Sequence, residues 1–314
     1  MMVRIEESVM KIGWNGTGVV GHASLDSVAK DMRRAEVAGY ESYWLADHPT
    51  GGFDALTALA LGGQKITNME IGTAVIPTFP RNPMSLAAQA LTVAQSLQVR
   101  FCLGVGLSHE SMMKELGIPF VKPIRHLREY LSILVPLLKQ GEVDFEGELL
   151  SCKAQIFKRT MPDISVVVAA LGPQALKVAG QLSDGTSLAW VGPKTIQEHI
   201  VPRIQDAAAA AGRPAPRIIA TLPVCITDAP GERRASISRN FASYAELPSY
   251  RAMFDREGAA GPGDVALVGS RSEVEDRLQM MEAAGTTDFG ATVYAENPEE
   301  KAATLAFLAD RAAT

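Results

Sequence analysis

The chain has 314 residues, of which 47% are hydrophobic and 21% are charged, a composition typical of a globular protein with a large core. Its formal net charge of −5 gives no reason to expect nucleic acid or an anionic membrane surface as a partner. The three cysteines show no CxxC spacing, which argues against a disulfide framework and favours a reducing, cytoplasmic compartment. No apolar run reaches the ~18 residues of a membrane span, and the first residues lack the apolar core of a signal peptide.

Short apolar runs recur along the chain, and a stretch with helical spacing follows each of them. The runs predicted as strands are 9–14, 42–46, 69–76, 101–106, 164–170, 185–190, 217–227 and 287–294. The stretches predicted as helices are 25–38, 53–65, 83–97, 110–116, 125–139, 173–182, 194–211, 272–284 and 298–313. Pro136 predicts a kink or an early end in the helix that contains it. Residues 143–153 are predicted to form a small hairpin before the next strand of the core.

The alternation of strands and helices predicts a parallel sheet, and eight units in about 300 residues favour a closed (β/α)8 TIM barrel over an open doubly wound sheet. Residues 228–265 interrupt this rhythm with three prolines and four glycines. We interpret them as loop and short helix, an insertion after strand seven that covers the mouth of the barrel. No boundary for a second domain is apparent, so residues 1–314 are predicted to form a single barrel domain.

Asp47 and His48, which follow the second strand, are the most reactive pair at the carboxyl ends of the strands, where barrels carry their sites. A histidine acts as general acid or base near neutral pH, and a neighbouring carboxylate can orient it or bind a ligand. The pair also fits a simpler role, in which Asp47 caps a helix and His48 lies at the surface.

The fourth strand ends at Gly104 and Gly106, and Ser108 and His109 then precede a helix. A strand that runs into glycine, serine and a helix start gathers free backbone N–H groups where an anion can bind. The third glycine of a dinucleotide fingerprint is absent, so the same stretch also fits an ordinary turn.

No metal site is predicted from the sequence. The five histidines, at positions 22, 48, 109, 126 and 199, show no HxH or HxxxH spacing. A GxSxG nucleophile elbow and a Walker A loop are also absent. Polar loops with one candidate acid or base favour an enzyme whose cofactor performs the reaction.

Several short tracts of this chain, taken in order, are similar to those of one known family. They are 43–48 (Tyr-Trp-Leu-Ala-Asp-His), 72–75 with 80–83, 101–106, 125–138, 169–173 with 179–180 and 184–185, and 267–270 with 284–285. Through them the chain resembles the luciferase-like monooxygenase superfamily of flavin and deazaflavin oxidoreductases, in particular its branch dependent on coenzyme F420. The resemblance implies a barrel enzyme, commonly a homodimer, that transfers hydride between the deazaflavin and a small organic substrate. An FMN-dependent monooxygenase of the same superfamily and a non-catalytic flavoprotein are the alternatives.

The resemblance also implies roles for individual residues. The deazaflavin ring would lie against the third strand, at a non-prolyl cis peptide bond between Ala74 and Val75. Asp47 would contact the polar edge of the ring or the ribityl hydroxyls, and His48 would donate or accept a proton. Backbone groups after the fourth and fifth strands would hold the phosphate. These backbone groups belong to Gly106, Leu107, Ser108, His109, Ala170, Leu171, Gly172 and Pro173.

Two departures from the family pattern bear on the substrate. The turn after the fourth strand is Leu107-Ser108-His109, where the sugar-phosphate dehydrogenase of this branch has Thr-Gly-Glu. That enzyme also has a tryptophan shortly after its Asp-His pair, where this chain has Pro49-Thr50-Gly51-Gly52. Both departures count against a sugar phosphate, and they make His109 a candidate replacement for the family's glutamate.

Overall fold

Eight parallel strands close on themselves to form a barrel in the computed structural model, which describes residues 9–157 and 161–313. The strands are β1 (Lys11–Asn15), β2 (Ser42–Leu45), β3 (Glu70–Thr73), β4 (Ile76–Pro77), β5 (Phe101–Gly106), β6 (Glu142–Glu146), β7 (Ser151–Gln155), β8 (Ile164–Ala169), β9 (Gly185–Ala189), β10 (Arg217–Ile226), β11 (Leu267–Gly269) and β12 (Asp288–Val293). The ring runs β1-β2-β3-β5-β8-β9-β10-β12, and β12 pairs back onto β1. The predicted (β/α)8 TIM barrel is therefore confirmed.

Helices surround the barrel and connect its strands. They are α1 (Leu25–Val37), α2 (Ala55–Gly62), α3 (Pro83–Ser96), α4 (Glu110–Glu115), α5 (Pro123–Lys139), α6 (Pro173–Leu182), α7 (Pro193–Thr195), α8 (Val201–Ala210), α9 (Pro230–Asn240), α10 (Ala242–Glu246), α11 (Pro248–Glu257), α12 (Pro262–Val265), α13 (Arg271–Ala283) and α14 (Pro298–Ala312). Short 3-10 helices cover Val19–Gly21 and Gly63–Lys65, and a π-helix covers Ile196–Ile200. None of the described helices is long and apolar enough to cross a membrane.

Local sequence explains where several helices begin. The side chains of Ser24, Asp54, Asn82, Ser270 and Asn297 each accept a hydrogen bond from a backbone N–H in the first turn of the helix that follows. Such caps satisfy groups that the helix itself leaves unpaired. They fix the residue at which each of these helices begins.

The barrel interior holds the indole of Trp44, which is 1% exposed and packs with Cys102, Val167 and Ile219. A Cβ atom built on Gly72 would lie 2.2 Å from this ring, and one on Gly13 would lie 3.0 Å from its Nε1 atom. A Cβ on Gly290, in the strand β12 that pairs with β1, would lie 3.3 Å from the Cδ1 atom of the indole. The indole Nε1 donates a hydrogen bond to the Ser42 hydroxyl. One large side chain thus takes up much of the interior, and three smaller ones complete its packing.

An ion-pair cluster closes the amino end of the barrel. Arg217, at the start of β10, contacts Glu70 at 2.8 Å and Asp288 at 2.7 Å, and both carboxylates are almost completely buried. Burial disfavours the charged guanidinium, but the hydrogen bond and the charge of Asp288 outweigh this effect and raise the pKa of Arg217. The guanidinium also lies over the Trp44 ring, 5.9 Å from its centroid. This cluster joins β3, β10 and β12 below the indole.

The third predicted strand differs from the expectation, because it is divided into β3 and β4. The backbone ladder between β3 and β5 stops at Gly72. Beyond it, the Thr73 hydroxyl accepts a hydrogen bond from the N–H of Gly104 and donates one to its carbonyl oxygen, so a side chain replaces the next backbone pairing. Pairing resumes at Ile76.

The predicted early end of α5 at Pro136 is wrong, since the helix continues to Lys139. Proline removes only one backbone donor, so only the carbonyl of Ser132 loses its partner. Ser132 and Pro136 both line an open groove beside the hairpin of β6 and β7. Water can reach such a groove. The carbonyl of Pro136 still accepts bonds from the N–H groups of Gln140 and Gly141.

The segment 228–265 is more helical than predicted, because it forms α9 to α12. Its prolines, Pro230, Pro248 and Pro262, each stand at the first position of a helix, where the missing N–H costs nothing. The strand β11 was not predicted, since three residues are too few to show a pattern. The predicted helix 194–211 contains the π-helix.

We expect Arg217→Met to lower the free energy of unfolding by about 3–5 kcal/mol, because two buried carboxylates would lose their partner. The control is Arg100→Met, since the Arg100 side chain is 75% exposed and lies 3.7 Å from the same Glu70. That change should cost less than about 1 kcal/mol. Urea denaturation followed by circular dichroism measures both. Equal losses for the two variants would contradict the structural role given to Arg217.

Candidate active site

The site is built on the segment between β3 and β4, at the carboxyl end of the barrel. The peptide bond between Ala74 and Val75 is cis, as the family resemblance implied. The N–H of Ala74 donates to the carbonyl of Leu45 at 3.1 Å, and the N–H of Asp47 donates to the carbonyl of Val75 at 3.3 Å. These two bonds tie the segment to the end of β2.

The glycines of β5 give this segment its space. A Cβ on Gly104 would lie 2.0 Å from the carbonyl oxygen of Thr73, and a Cβ on Gly106 would lie 2.8 Å from the Val75 side chain. A side chain at Gly104 would push the two strands apart, because it would meet backbone, whereas one at Gly106 would meet the Val75 side chain. Gly104 therefore serves close packing, and its N–H is occupied by Thr73 and is not offered to an anion.

The turn after β5 carries Leu107, Ser108 and His109, all half-buried. Ser108 has a φ of +64°, and its hydroxyl lies 3.3 Å from the Met112 sulfur. Burial lowers the pKa of His109. Its ring lies 5.7 Å from that of Tyr250, which comes from α11. The turn is thus in contact with the segment inserted after β10.

Asp47 is committed to structure at both carboxylate oxygens. One oxygen accepts from the N–H of Ala55 at the start of α2, and the other lies 3.0 Å from Arg81. Arg81 also contacts Asp54 at 2.6 Å and Gln89 at 3.0 Å. Hydrogen bonding to Asp54 and the charge of Asp47 outweigh burial and raise the pKa of Arg81. The sequence analysis did not connect Asp47 with Arg81, because 34 residues separate them.

His48 is half-buried next to Asp47 and keeps part of its ring free for chemistry. Its Nδ1 lies 2.9 Å from the Thr50 hydroxyl. No hydrogen bond of its Nε2 is found among the described residues. A ring with one nitrogen oriented by a neighbour and the other unbonded has the arrangement expected of a proton donor or acceptor.

The loop after β8 meets the amino end of α6, a helix of ten residues. Gly172 is the capping residue, and a Cβ built on it would find no atom within 4 Å, so the space beside it is open. The carbonyl of Ala170 lies 3.4 Å from the Thr186 hydroxyl, and that of Leu171 lies 2.8 Å from His199 Nε2. Backbone N–H groups at a helix start, beside open space, suit a phosphate.

His199 is a functional candidate that the sequence analysis noted only as a histidine without metal spacing. It is 2% exposed, and its Nδ1 has no hydrogen-bond partner among the described residues. Because Nε2 faces a carbonyl, it must carry the proton, and burial lowers the pKa of the ring so that it stays neutral. It lies in the π-helix, a distortion often found at functional sites. The sequence did contain one indication that His199 is buried, because it lies among Ile196, Ile200 and Ile204, which recur every four residues along one helix face.

Aromatic rings from several elements meet near the ends of β9 and β12, and we call them the aromatic cluster. Its members are Trp190, Phe241, Tyr244, Tyr250 and Tyr294. Their ring centroids lie 4.9–6.3 Å apart, distances typical of favourable aromatic contacts. Among the described residues, no group of three or more His, Cys, Asp or Glu side chains is arranged to hold a metal ion.

Comparison with known proteins places the chain among its relatives. Over 284 residues it is 24% identical to the 5,10-methylenetetrahydromethanopterin reductase of Methanopyrus kandleri, a match that covers 85% of this chain and 77% of that protein. Over 194 residues it is 30% identical to the F420-dependent glucose-6-phosphate dehydrogenase of Mycolicibacterium gilvum, which covers 57% of this chain and 58% of that protein.

A solved structure shows the same fold over nearly the whole chain. The coenzyme F420-dependent tetrahydromethanopterin reductase from Methanopyrus kandleri aligns with a TM-score of 0.80 at 19% identity, covering 96% of this chain and 97% of that one. The family model described as luciferase-like monooxygenase matches residues 10–314. The chain therefore belongs to the luciferase-like monooxygenase family.

Proposed function

We propose that this chain is a coenzyme F420-dependent oxidoreductase that transfers hydride between the deazaflavin and a small organic substrate. The relatives named for F420 support the cofactor, and the loop after β8 supports its phosphate. The observation that carries the proposal is the likeness of this chain to proteins named as F420-dependent, in sequence and in fold. The exposed amino end of α6 at Gly172 is consistent with it. The alternative of a non-catalytic flavoprotein explains less well why His48 keeps one ring nitrogen free of hydrogen bonds at the barrel mouth.

The residues present fit the cofactor's parts. Ala74 and Val75 would form the wall for the flat ring, and the backbone N–H groups of 106–109 and 170–172 would hold the phosphate. Pro173 has no N–H and would instead set the backbone angle at the first position of α6. His199 would fix the Leu171 carbonyl so that the phosphate meets N–H groups and not a carbonyl oxygen. Bound at this site, F420 supplies hydride transfer. The protein's own part is to bind, orient and exclude water.

Asp47 acts on this site mainly through position, in our proposal. Both of its oxygens already accept hydrogen bonds, and its charge is balanced by Arg81. It therefore holds the loop of His48 against α2 and the Ala74–Val75 segment. A contact with the ring edge or the ribityl hydroxyls would use the remaining lone pairs of the carboxylate.

His48 is our candidate for moving the proton that accompanies hydride transfer. Thr50 orients its Nδ1, which leaves Nε2 to face the substrate. His109 is held neutral by burial, so it can donate one hydrogen bond to a substrate oxygen without bringing a charge. The contact between His109 and Tyr250 links this donor to the aromatic cluster.

We further propose that the inserted segment 228–265 covers the mouth and selects an apolar substrate. The rings it contributes contact Trp190 and Tyr294, which come from the barrel itself. Large aromatic side chains favour flat or apolar ligands. The single-domain organisation, the homodimer and the cytoplasmic location remain predictions, and light scattering in solution tests the dimer.

The cofactor is tested by calorimetric titration of the purified protein with F420 and with FMN. We expect F420 to bind with a Kd of about 1 μM or tighter and FMN at least about tenfold more weakly. Tighter binding of FMN would overturn the assignment and favour the monooxygenase alternative.

His48→Ala should leave the affinity for F420 unchanged and lower turnover by about 10²-fold or more, because a general acid or base is lost. Turnover is followed as the change in deazaflavin absorbance with a substrate that the wild-type protein accepts. Thr50→Val is the matched control, since it removes the partner of Nδ1 and keeps the ring. It should lower turnover by less than about tenfold. If His48→Ala leaves turnover unchanged, His48 is not the general acid or base, and His109 becomes the candidate.

A further inference from the structure

A cleft separates α1 from α14 on the outside of the barrel, and we call it the α1–α14 cleft. Its volume is about 390 Å³, which lies in the range of small-molecule sites. Its lining residues are Trp14, Asp31, Arg34, Ala35, Ala38, Tyr40, Lys301, Leu305, Ala306 and Ala309. The four alanines explain why the space is open, since larger side chains at these positions would fill the gap between the two helices.

The buried wall of the cleft holds a hydroxyl without a partner. Tyr40 is 3% exposed, and its oxygen makes no hydrogen bond with any of the described residues. Leaving such a group unpaired is costly, and most buried hydroxyls are satisfied. This oxygen has almost no accessible surface, so a ligand in the cleft does not reach it, and Tyr40 contributes its ring to the wall.

The neighbouring polar groups do not serve this hydroxyl. Trp14 Nε1 and the Tyr43 hydroxyl both donate to the same Asp31 oxygen, at 2.9 and 3.0 Å. The Trp14 ring lies 5.3 Å from that of Tyr40, and the two rings form an apolar surface. The wall therefore presents flat aromatic surface to the cleft.

The rim of the cleft is positively charged. Arg34 is exposed and lies 3.7 Å from Asp31, while Lys301 has no ion pair within the described part of the chain. With two cations and one carboxylate, the rim favours an anionic group. An apolar interior with a cationic rim matches the two ends of an aromatic carboxylate.

The cleft continues toward the functional end of the barrel. A second space of about 450 Å³ shares Trp14, Asp31, Arg34 and Lys301 with it and reaches Gly16, in the loop after β1. A ligand in the cleft would therefore lie behind that loop, outside the barrel and separate from the site at Gly172.

We propose that the α1–α14 cleft binds a flat aromatic carboxylate. The rings lie on Trp14 and Tyr40 among the alanines, and the carboxylate lies between Arg34 and Lys301. This site is independent of the cofactor, so it stands whether or not the chain uses F420.

The experiment uses a naphthoate carrying a ring hydroxyl, 6-hydroxy-2-naphthoate, as the probe in calorimetric titrations of the full chain. We expect a Kd below about 1 mM for the wild-type protein. Ala306→Trp fills the cleft and should abolish binding, whereas Ala302→Trp, on the same helix but outside the cleft, should bind as the wild type does. Both alanines are exposed, so both variants are expected to fold.

Two further variants test the chemistry of the site. Lys301→Gln should weaken binding about threefold to tenfold, because a charge-assisted contact is lost. Tyr40→Phe should leave both binding and the melting temperature unchanged, because its hydroxyl is inaccessible from the cleft and has no partner within the described part of the chain. Failure of the wild-type protein to bind the probe would overturn the proposal. Equal binding by the Ala306→Trp and Ala302→Trp variants would also overturn it.

Discussion

The packing of Trp44 inside the barrel is the constraint on which the rest of the structure depends. The indole takes up much of the interior, so the strands on either side carry Gly13 and Gly72 where it would clash with a side chain. Arg217 covers the ring at the amino end and balances two buried carboxylates. The closed end of the barrel is thus held by packing and charge together, which leaves the loops at the other end free to carry function.

The functional end depends on a second close approach, between β3 and β5. Gly104 lets the Thr73 hydroxyl replace one backbone pairing, and the chain then turns through Ala74 and Val75 before pairing resumes. The loop after β2 is bonded to this turn and to Arg81, so His48 is carried by a rigid base. The His48 side chain lies on a loop, but its neighbours on the strands determine its position.

Much of this architecture could be predicted from the sequence, because it follows local rules. Apolar runs ended by glycine or proline identified the barrel strands, and the resemblance of short tracts identified the family. Contacts across long separations could not be predicted in this way. The pairing of Asp47 with Arg81, and of His199 with Leu171, depends on which loops meet in space. The prolines of 228–265 were misinterpreted because proline both ends a helix and begins one.

The three tryptophans of this chain occupy three separate environments, and this has a spectroscopic consequence. Trp44 is sealed in the barrel, Trp190 belongs to the aromatic cluster at the mouth, and Trp14 lines the outer cleft. Replacing two of them with phenylalanine leaves an indole whose emission reports on one region. Global unfolding, movement of the inserted segment and occupancy of the outer cleft would then give distinct signals from the same polypeptide.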